Sequence, residues 1–293
     1  MRLIHITDPH LSSLEGQSFL GLRGKRRSGY LSWRKNRRHE HRFEVLEQLT
    51  DAVMSLSPDQ VLVTGDLVHI GLESEMAEAA AWLRRLGTPD RVFLVPGNHD
   101  NYAADSASSM ARHWSAYLPE SFGSSPGGFA AYPVIRRRNG VELIGVNTAC
   151  VTRIFSAAGA VGASQRERLA ETLEASAGED VFRCLLIHHP PFPGMTRRRK
   201  ALRDDGPLRD LLLRCSPDLL LYGHLHRNRE DREAGVRCFC TASASSVSDA
   251  SFRVIDIERT GTGWHCRVQL MTRDPAQRSG SVFKRAGESS WSR

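Results

Sequence analysis

Leu219-Leu220-Leu221-Tyr222-Gly223-His224-Leu225-His226 is the stretch on which the reading of this chain turns. The apolar run reads as a strand covered on both faces, and two imidazoles one residue apart after such a strand have few structural uses. The same arrangement recurs elsewhere. Leu3-Ile4-His5-Ile6 precedes Asp8-Pro9-His10, and Val61-Leu62-Val63 precedes Gly65-Asp66. Val92-Phe93-Leu94-Val95 precedes Gly97-Asn98-His99-Asp100, and Leu185-Leu186-Ile187 precedes His188-His189. Each run would deliver polar side chains to one edge of a sheet, where sites in open α/β folds collect. The runs are continuous rather than alternating, and the stretches between them are long enough for crossover helices, so the expected fold class is layered α/β.

Carboxylate, amide oxygen and neutral imidazole form a mixed O/N donor set that suits Mn, Fe, Zn or related divalent ions. No cysteine joins them, which removes the soft ligand favouring a structural zinc or an iron–sulfur centre. One ion is assigned to Asp8, His10 and His226 and the other to Asn98, His188 and His224, with Asp66 expected to bridge both through its two carboxylate oxygens. Two cations about 3.5–4 Å apart lower the pKa of a shared water and clamp the phosphoryl oxygens of an in-line displacement. The leaving oxygen needs a proton. His99, beside a ligand in sequence but not needed as one, is expected to act as general acid, with Asp100 fixing its tautomer or orienting the Asn98 loop. Alone, a histidine is usually a surface or satisfied core residue and a Gly-Asp is an ordinary turn; the ordered set decides.

These D-x-H, G-D, G-N-H-D, H and G-H-x-H blocks, running from Asp8 to His226 without a substitution, resemble the calcineurin-like metallophosphoesterase superfamily. The resemblance implies a four-layer αββα sandwich with two mixed sheets flanked by helices, a binuclear centre filled by Mn, Fe, Zn or Mg, and attack by a metal-bound hydroxide. The isolated histidine of the family falls on His188 or His189. His188, directly after Ile187, is taken as the ligand, and His189 as a substrate-facing or ligand-supporting residue. The compact chain and its His188-His189-Pro190-Pro191 look like class III cyclic nucleotide phosphodiesterases.

Between the first two blocks lies a basic insertion, Gly21 to Arg42, in which Arg23, Lys25, Arg26, Arg27, Arg34, Lys35, Arg37 and Arg38 alternate with Leu22, Tyr30, Leu31 and Trp33. Arg197-Arg198-Arg199-Lys200 follows the His188 loop. Such runs are often solvated faces, but one directly after a metal ligand is placed to meet an anionic phosphoester substrate, so Arg26, Arg27, Arg37 and Arg38 are substrate-binding candidates. Aromatics among the cations suit an anionic membrane surface, with Trp33 and Tyr30 at headgroup level, or a stacked nucleotide. The insertion is also loosely similar to the UDP-2,3-diacylglucosamine pyrophosphatases, which makes a lipid-linked pyrophosphate the alternative to a cyclic nucleotide. A non-catalytic metal scaffold would require lost ligands, and none is lost. A nuclease is disfavoured because no nucleic-acid-binding module accompanies the blocks.

The 293 residues are 40% hydrophobic and 25% charged, with net charge +7, the composition of an ordinary globular protein. One domain is expected over residues 1–273, followed by a polar, frayed tail at 274–293. Met1 leads at once into the first strand, and no apolar run approaches the ~20 residues that cross a bilayer, so a cytoplasmic protein, peripheral to the inner membrane, is expected. Six cysteines without a C-x-x-C pair read as reduced thiols. Helices are expected over 42–56, 73–86, 164–175 and 207–213, and an irregular segment over 102–128. A hairpin is expected from 132–135 and 141–146, and strands of a second sheet at 236–241, 252–258 and 264–271.

Overall fold

The computed structural model describes residues 1–124, 126–233, 235–274, 276 and 282–293. Among these, twelve strands form two sheets of six. They are β1 (Arg2–Ile6), β2 (Gln60–Val63), β3 (Val92–Leu94), β4 (Val134–Arg138), β5 (Val141–Val146), β6 (Phe182–Ile187), β7 (Leu219–Tyr222), β8 (Arg229–Glu233), β9 (Val236–Cys240), β10 (Ser251–Thr260), β11 (Gly263–Arg273) and β12 (Phe283–Ser292). The first sheet runs β12-β11-β10-β1-β2-β3 and the second β4-β5-β6-β7-β9-β8. Both are mixed. β1, β2 and β3 are parallel while β10 joins β1 antiparallel. In the second sheet β5, β6, β7 and β9 are parallel, and β4 and β8 close the edges antiparallel.

The uninterrupted apolar runs have a direct structural cause. On β6 and β7, Cys184, Leu186, Leu219 and Leu221 face the core shared with the first sheet. Their neighbours Leu185, Ile187, Leu220 and Tyr222 face a separate outer core. Period-two alternation with both faces buried leaves no position for a polar residue. The helices are α1 (Lys25–Ser32), α2 (Arg38–Glu40), α3 (Phe43–Ser55), α4 (Glu73–Leu86), α5 (Ser106–His113), α6 (Ala163–Ala175) and α7 (Asp205–Arg214). α3 and α4 contribute Leu46, Leu49, Val53, Met76 and Leu83 to the first core, and α6 and α7 contribute Leu169, Leu173, Leu208 and Leu212 to the outer one. The result is the helix–sheet–sheet–helix sandwich, and each fully buried leucine in it is worth roughly 1.5–3 kcal/mol over an exposed one.

Two expectations about the C-terminal part are corrected. β10 and β11 do not belong with β9 in the second sheet; β10 pairs with β1 and extends the first. The stretch after Asp274 is not simply frayed, because β12 pairs along β11 from Phe283 to Ser292 with a register shift at Leu270/Met271. Its polar composition reflects an edge strand with mostly exposed side chains. Residues 275 and 277–281 of that segment lie outside the described residues.

The basic insertion is folded. α1, a π-helical stretch over Trp33–Arg37 and α2 follow one another. They are held by a small core of Leu14, Leu22, Trp33, Ile70 and Tyr102, with Tyr30 packed against it. Trp33 is 4% exposed. The expectation that Trp33 lies at membrane headgroup level is therefore corrected: the ring is spent on attaching the insertion. Gly29 is required for that attachment, since a Cβ there would stand 2.4 Å from Tyr102 Oη and 2.6 Å from Ile70 Cγ2.

Candidate metal centre

The loops after β1, β2, β3, β6 and β7 meet at one end of the two sheets and bring the expected donors together. Asp8, His10, Asp66 and His226 offer ligand atoms within 4.8 Å of one another, and so do Asp66, His188 and His224. In the first group His10 Nε2 lies 3.3 Å from His226 Nε2, and His226 Nε2 lies 3.2 Å from Asp8 Oδ1. In the second, His188 Nε2 lies 3.2 Å from both Asn98 Oδ1 and His224 Nδ1. The seven residues predicted as ligands thus converge.

Backbone carbonyls set the imidazole tautomers. His10 Nδ1 donates to Val68 O at 3.0 Å and His188 Nδ1 donates to Thr64 O at 2.6 Å, so on each ring Nε2 is the nitrogen that faces the group. Asp8 Oδ2 accepts the Thr7 hydroxyl at 2.7 Å and the His224 N–H at 3.0 Å, leaving Oδ1 buried without a hydrogen-bond partner. Ring nitrogens facing each other at 3.2–3.3 Å beside such a carboxylate oxygen form a donor set that fits divalent ions. Charge follows the same pattern. Burial holds His10 and His224 far below the usual imidazole range, hence as neutral imidazoles. Burial opposes ionisation of Asp8, yet His226 and His188 outweigh it and hold the carboxyl low. Burial also resists a charge on His188, but Asp66 and Asp8 push that imidazole up to about 9, the mark of a field that draws positive charge.

Asp66 differs from expectation in one respect. Its Oδ1 accepts the His99 N–H at 2.7 Å, and Oδ2 alone faces both groups, 3.9 Å from His10 Nε2 and 3.4 Å from His188 Nε2. One oxygen, rather than two, is presented to both sides. Asp100 does not touch the His99 ring. Its Oδ2 accepts the N–H groups of Asp66 and Gly97 at 2.8 Å, and Oδ1 accepts that of Leu67 at 2.8 Å, so it ties the second and third loops together. Burial and the neighbouring Asp66 push its carboxyl up to about 7, against donors that stabilise the ionised form. Gly223 is needed where the first and last loops cross, because a Cβ there would stand 1.9 Å from Thr7 Oγ1.

The expected proton donor is also placed differently. His99 Nδ1 donates to the His69 carbonyl, and its Nε2 accepts from Arg37 Nη2 at 2.8 Å. Burial and the Arg37 charge hold the ring neutral, so in this arrangement it has no proton to offer at Nε2. Of the four arginine candidates, Arg37 bonds to His99 of the third block, and Arg38 borders the cavity beside His10. Arg26 is spent on structure, donating to Ile70 O, Gly71 O and Asp105. Arg27 donates to Leu22 O and covers Phe19, and the exposed Arg38 donates to His39. His189 is fully buried, with Nε2 donating to Ala157 O at 3.2 Å and Nδ1 meeting Thr148 Oγ1 at 2.7 Å. These contacts tie it to the loops of Thr148 and Ala157.

Beside Asn98 and His99 opens a cavity of about 360 Å³ bordered by Lys25, Arg37, Arg199 and Lys200 as well as Tyr102 and Phe155. Its titratable lining is cationic apart from His99 and Tyr102, and burial pulls Lys25 down to about 8. A larger cavity of about 820 Å³ behind Asn101 has no carboxylate or imidazole in its lining and lacks the chemistry of this one. Lys25 and Lys200 lay inside the basic runs without a signal distinguishing them, while Phe155 lies in a loop that carries no motif.

A model of the calcineurin-like phosphoesterase family matches residues 1–228. Over 228 residues the chain is 28% identical to a Synechococcus protein described as a probable cyclic nucleotide phosphodiesterase, with 74% of this chain and 79% of that protein covered. A dimetal phosphatase from Danio rerio superposes with a TM-score of 0.64 at 15% identity, over 94% of this chain and 96% of its own. A purple acid phosphatase from yellow lupin seeds gives 0.58 at 13% identity, and this chain spans 53% of its length. At these identities the two structural likenesses concern the fold.

Proposed function

The chain belongs to the calcineurin-like phosphoesterase family, and from that premise we propose that it hydrolyses a phosphodiester or pyrophosphate bond in an anionic small molecule, with a cyclic nucleotide as leading candidate. The family makes it a phosphoester hydrolase. The finer reading is supported by two pairs of facing imidazole nitrogens with Asp66 Oδ2 between them, an arrangement suited to a pair of divalent ions. Asp8, His10, Asp66 and His226 would hold one ion, and Asn98, Asp66, His188 and His224 the other. With several imidazoles per ion, Mn, Fe or Zn suits this set better than Mg. When bound, such a pair supplies an acidified water and neutralises phosphoryl charge.

The protein's own side chains do the rest. Arg37, held at the cavity by His99, and Lys25 and Lys200 at its rim neutralise the non-bridging oxygens of the substrate. The exposed Phe155 at the cavity's border offers a ring face to a base, which supports the nucleotide reading. The related Synechococcus protein, described as a probable cyclic nucleotide phosphodiesterase, supports the same choice.

A second reading, a UDP-2,3-diacylglucosamine-type lipid pyrophosphatase working at an anionic membrane surface, is favoured by one observation. Phe155 borders the cavity yet is 82% exposed, and Leu31, on the α1 helix that borders the same cavity, is also exposed. Among the described residues no helix is long and apolar enough to cross a membrane. The test is turnover by the Mn-loaded protein of bis-p-nitrophenyl phosphate, p-nitrophenyl phosphate, cyclic AMP and a UDP-acylsugar in detergent. Diester and cyclic nucleotide turnover well above monoester turnover is expected. Detergent-dependent cleavage of the UDP-acylsugar with none of cyclic AMP would install the second reading, and monoester activity alone would reject both.

A further inference from the structure

His41, the residue that joins the basic insertion to α3, stands against the first group of donors without belonging to any of the sequence blocks. It is 8% exposed. One of its ring nitrogens lies within 4.8 Å of ring nitrogens of His10 and His226, and its ring centroid is 4.7 Å from that of His10 and 5.3 Å from that of His226. Nδ1 faces the hydroxyl of Ser245 at 2.9 Å and that of Ser243 at 3.2 Å. Ser243 in turn donates to the carbonyl of Asp8 at 2.6 Å, so its proton is committed and it can only accept from His41. A protonated Nδ1 satisfies both contacts and leaves Nε2 as a lone pair. That Nε2 is buried and has no hydrogen-bond partner.

The surroundings keep the ring in place and reachable. The backbone of Arg42 donates to Ser245 O at 3.0 Å and that of Val247 to Glu40 O at 2.9 Å, which clamps the end of the insertion to the loop after β9. His10, His41 and His69 border a second cavity of about 360 Å³ whose lining does not include Asn98, a route by which an ion or water could enter. An imidazole with one nitrogen anchored by serine hydroxyls and the other unpartnered beside two ligand imidazoles has the form of a ligand with its supporting contacts. We infer that His41 is a third imidazole donor to the cation held by Asp8, His10 and His226, supplied by the insertion and absent from the blocks that mark the family. The inference rests on the proposed two-ion reading.

The experiment is titration of the chelator-treated full chain with Mn(II) alone, by calorimetry and by pulsed EPR of the bound ion, for the wild type, His41→Ala, His41→Gln and His188→Ala. For both His41 variants, at least about tenfold weaker binding at one of two sites is expected, with loss of one directly coordinated nitrogen. His188→Ala should weaken the other site and leave the His41 nitrogen signal in place. A wild type that binds no Mn(II) would sink the two-ion reading itself. Two wild-type sites with unchanged affinity and nitrogen count in the His41 variants would overturn only the assignment of His41. The metal-free variants serve as folding controls, because their melting temperature should match that of the metal-free wild type. Should His41→Ala fail this control, the polar His41→Gln decides alone by its nitrogen count.

Discussion

His99 and Arg37 show how far a single side chain's role depends on its neighbour. A histidine poised to donate a proton would help a poor leaving group far more than an activated one. With Nε2 accepting from Arg37, the ring instead fixes a guanidinium at the cavity, and that help does not depend on the leaving group. Arg37→Ala and His99→Ala are therefore expected to lower kcat/KM by about 10–100-fold each, with little difference between p-nitrophenolate and alkoxide leaving groups. A His99→Ala defect that nearly vanishes on the activated ester would restore the acid role. The residues proposed as ligands also carry a backbone signature. Asp8, His10, Asp66, His224 and His226 all have φ between 40° and 69°, the left-handed region that costs a residue with a Cβ about 1–2 kcal/mol. Asp and His tolerate that region better than most residues with a Cβ, and there each donor turns inward at a strand end.

Among the elements, the insertion departs furthest from what its composition suggests. Its charge pattern is that of a solvated arm, yet α1 rests on Ile70 and Tyr102 through Gly29, and Lys25 Nζ reaches over the Tyr102 ring to Thr152 Oγ1 at 2.7 Å. Gly29→Val would push α1 off that surface and carry Lys25 and Arg37 with it. The expected result is a several-fold higher KM for the anionic substrate, with Mn(II) affinity of the Asn98–His188–His224 group unchanged. Equal KM values would show that the insertion takes no part in binding. The strands next to the donors were legible because both faces are buried, and the β4–β5 hairpin because the basic run around Asn139-Gly140 separates two strand patterns. Sheet membership of β10 and β11 was not legible. Alternation identifies a half-buried strand but not its partner, and β10 finds β1 from about 250 residues away.

For the whole molecule, the same loops that hold the donors also join the two sheets, so ion binding and stability are coupled. A buried unpartnered carboxylate oxygen costs free energy that a cation would remove. An ion present at 100 times its Kd adds about 2.7 kcal/mol, which in a protein of this size raises Tm by about 4 °C per site. Chelation should lower Tm by at least that amount, and an unchanged Tm on adding and removing Mn(II) would count against ion binding at this end of the sandwich. The donor blocks and the strands that present them could be read from the chain alone, because residue type and period-two burial are local properties of a sequence. Several decisions belonged to the tertiary structure. It chose which Asp66 oxygen faces the centre, turned His99 toward Arg37, buried His189, spent Arg26 on backbone carbonyls and brought His41 beside His10. Each of those depends on groups from distant segments competing for one hydrogen bond or one volume, and that competition exists only once the loops have met.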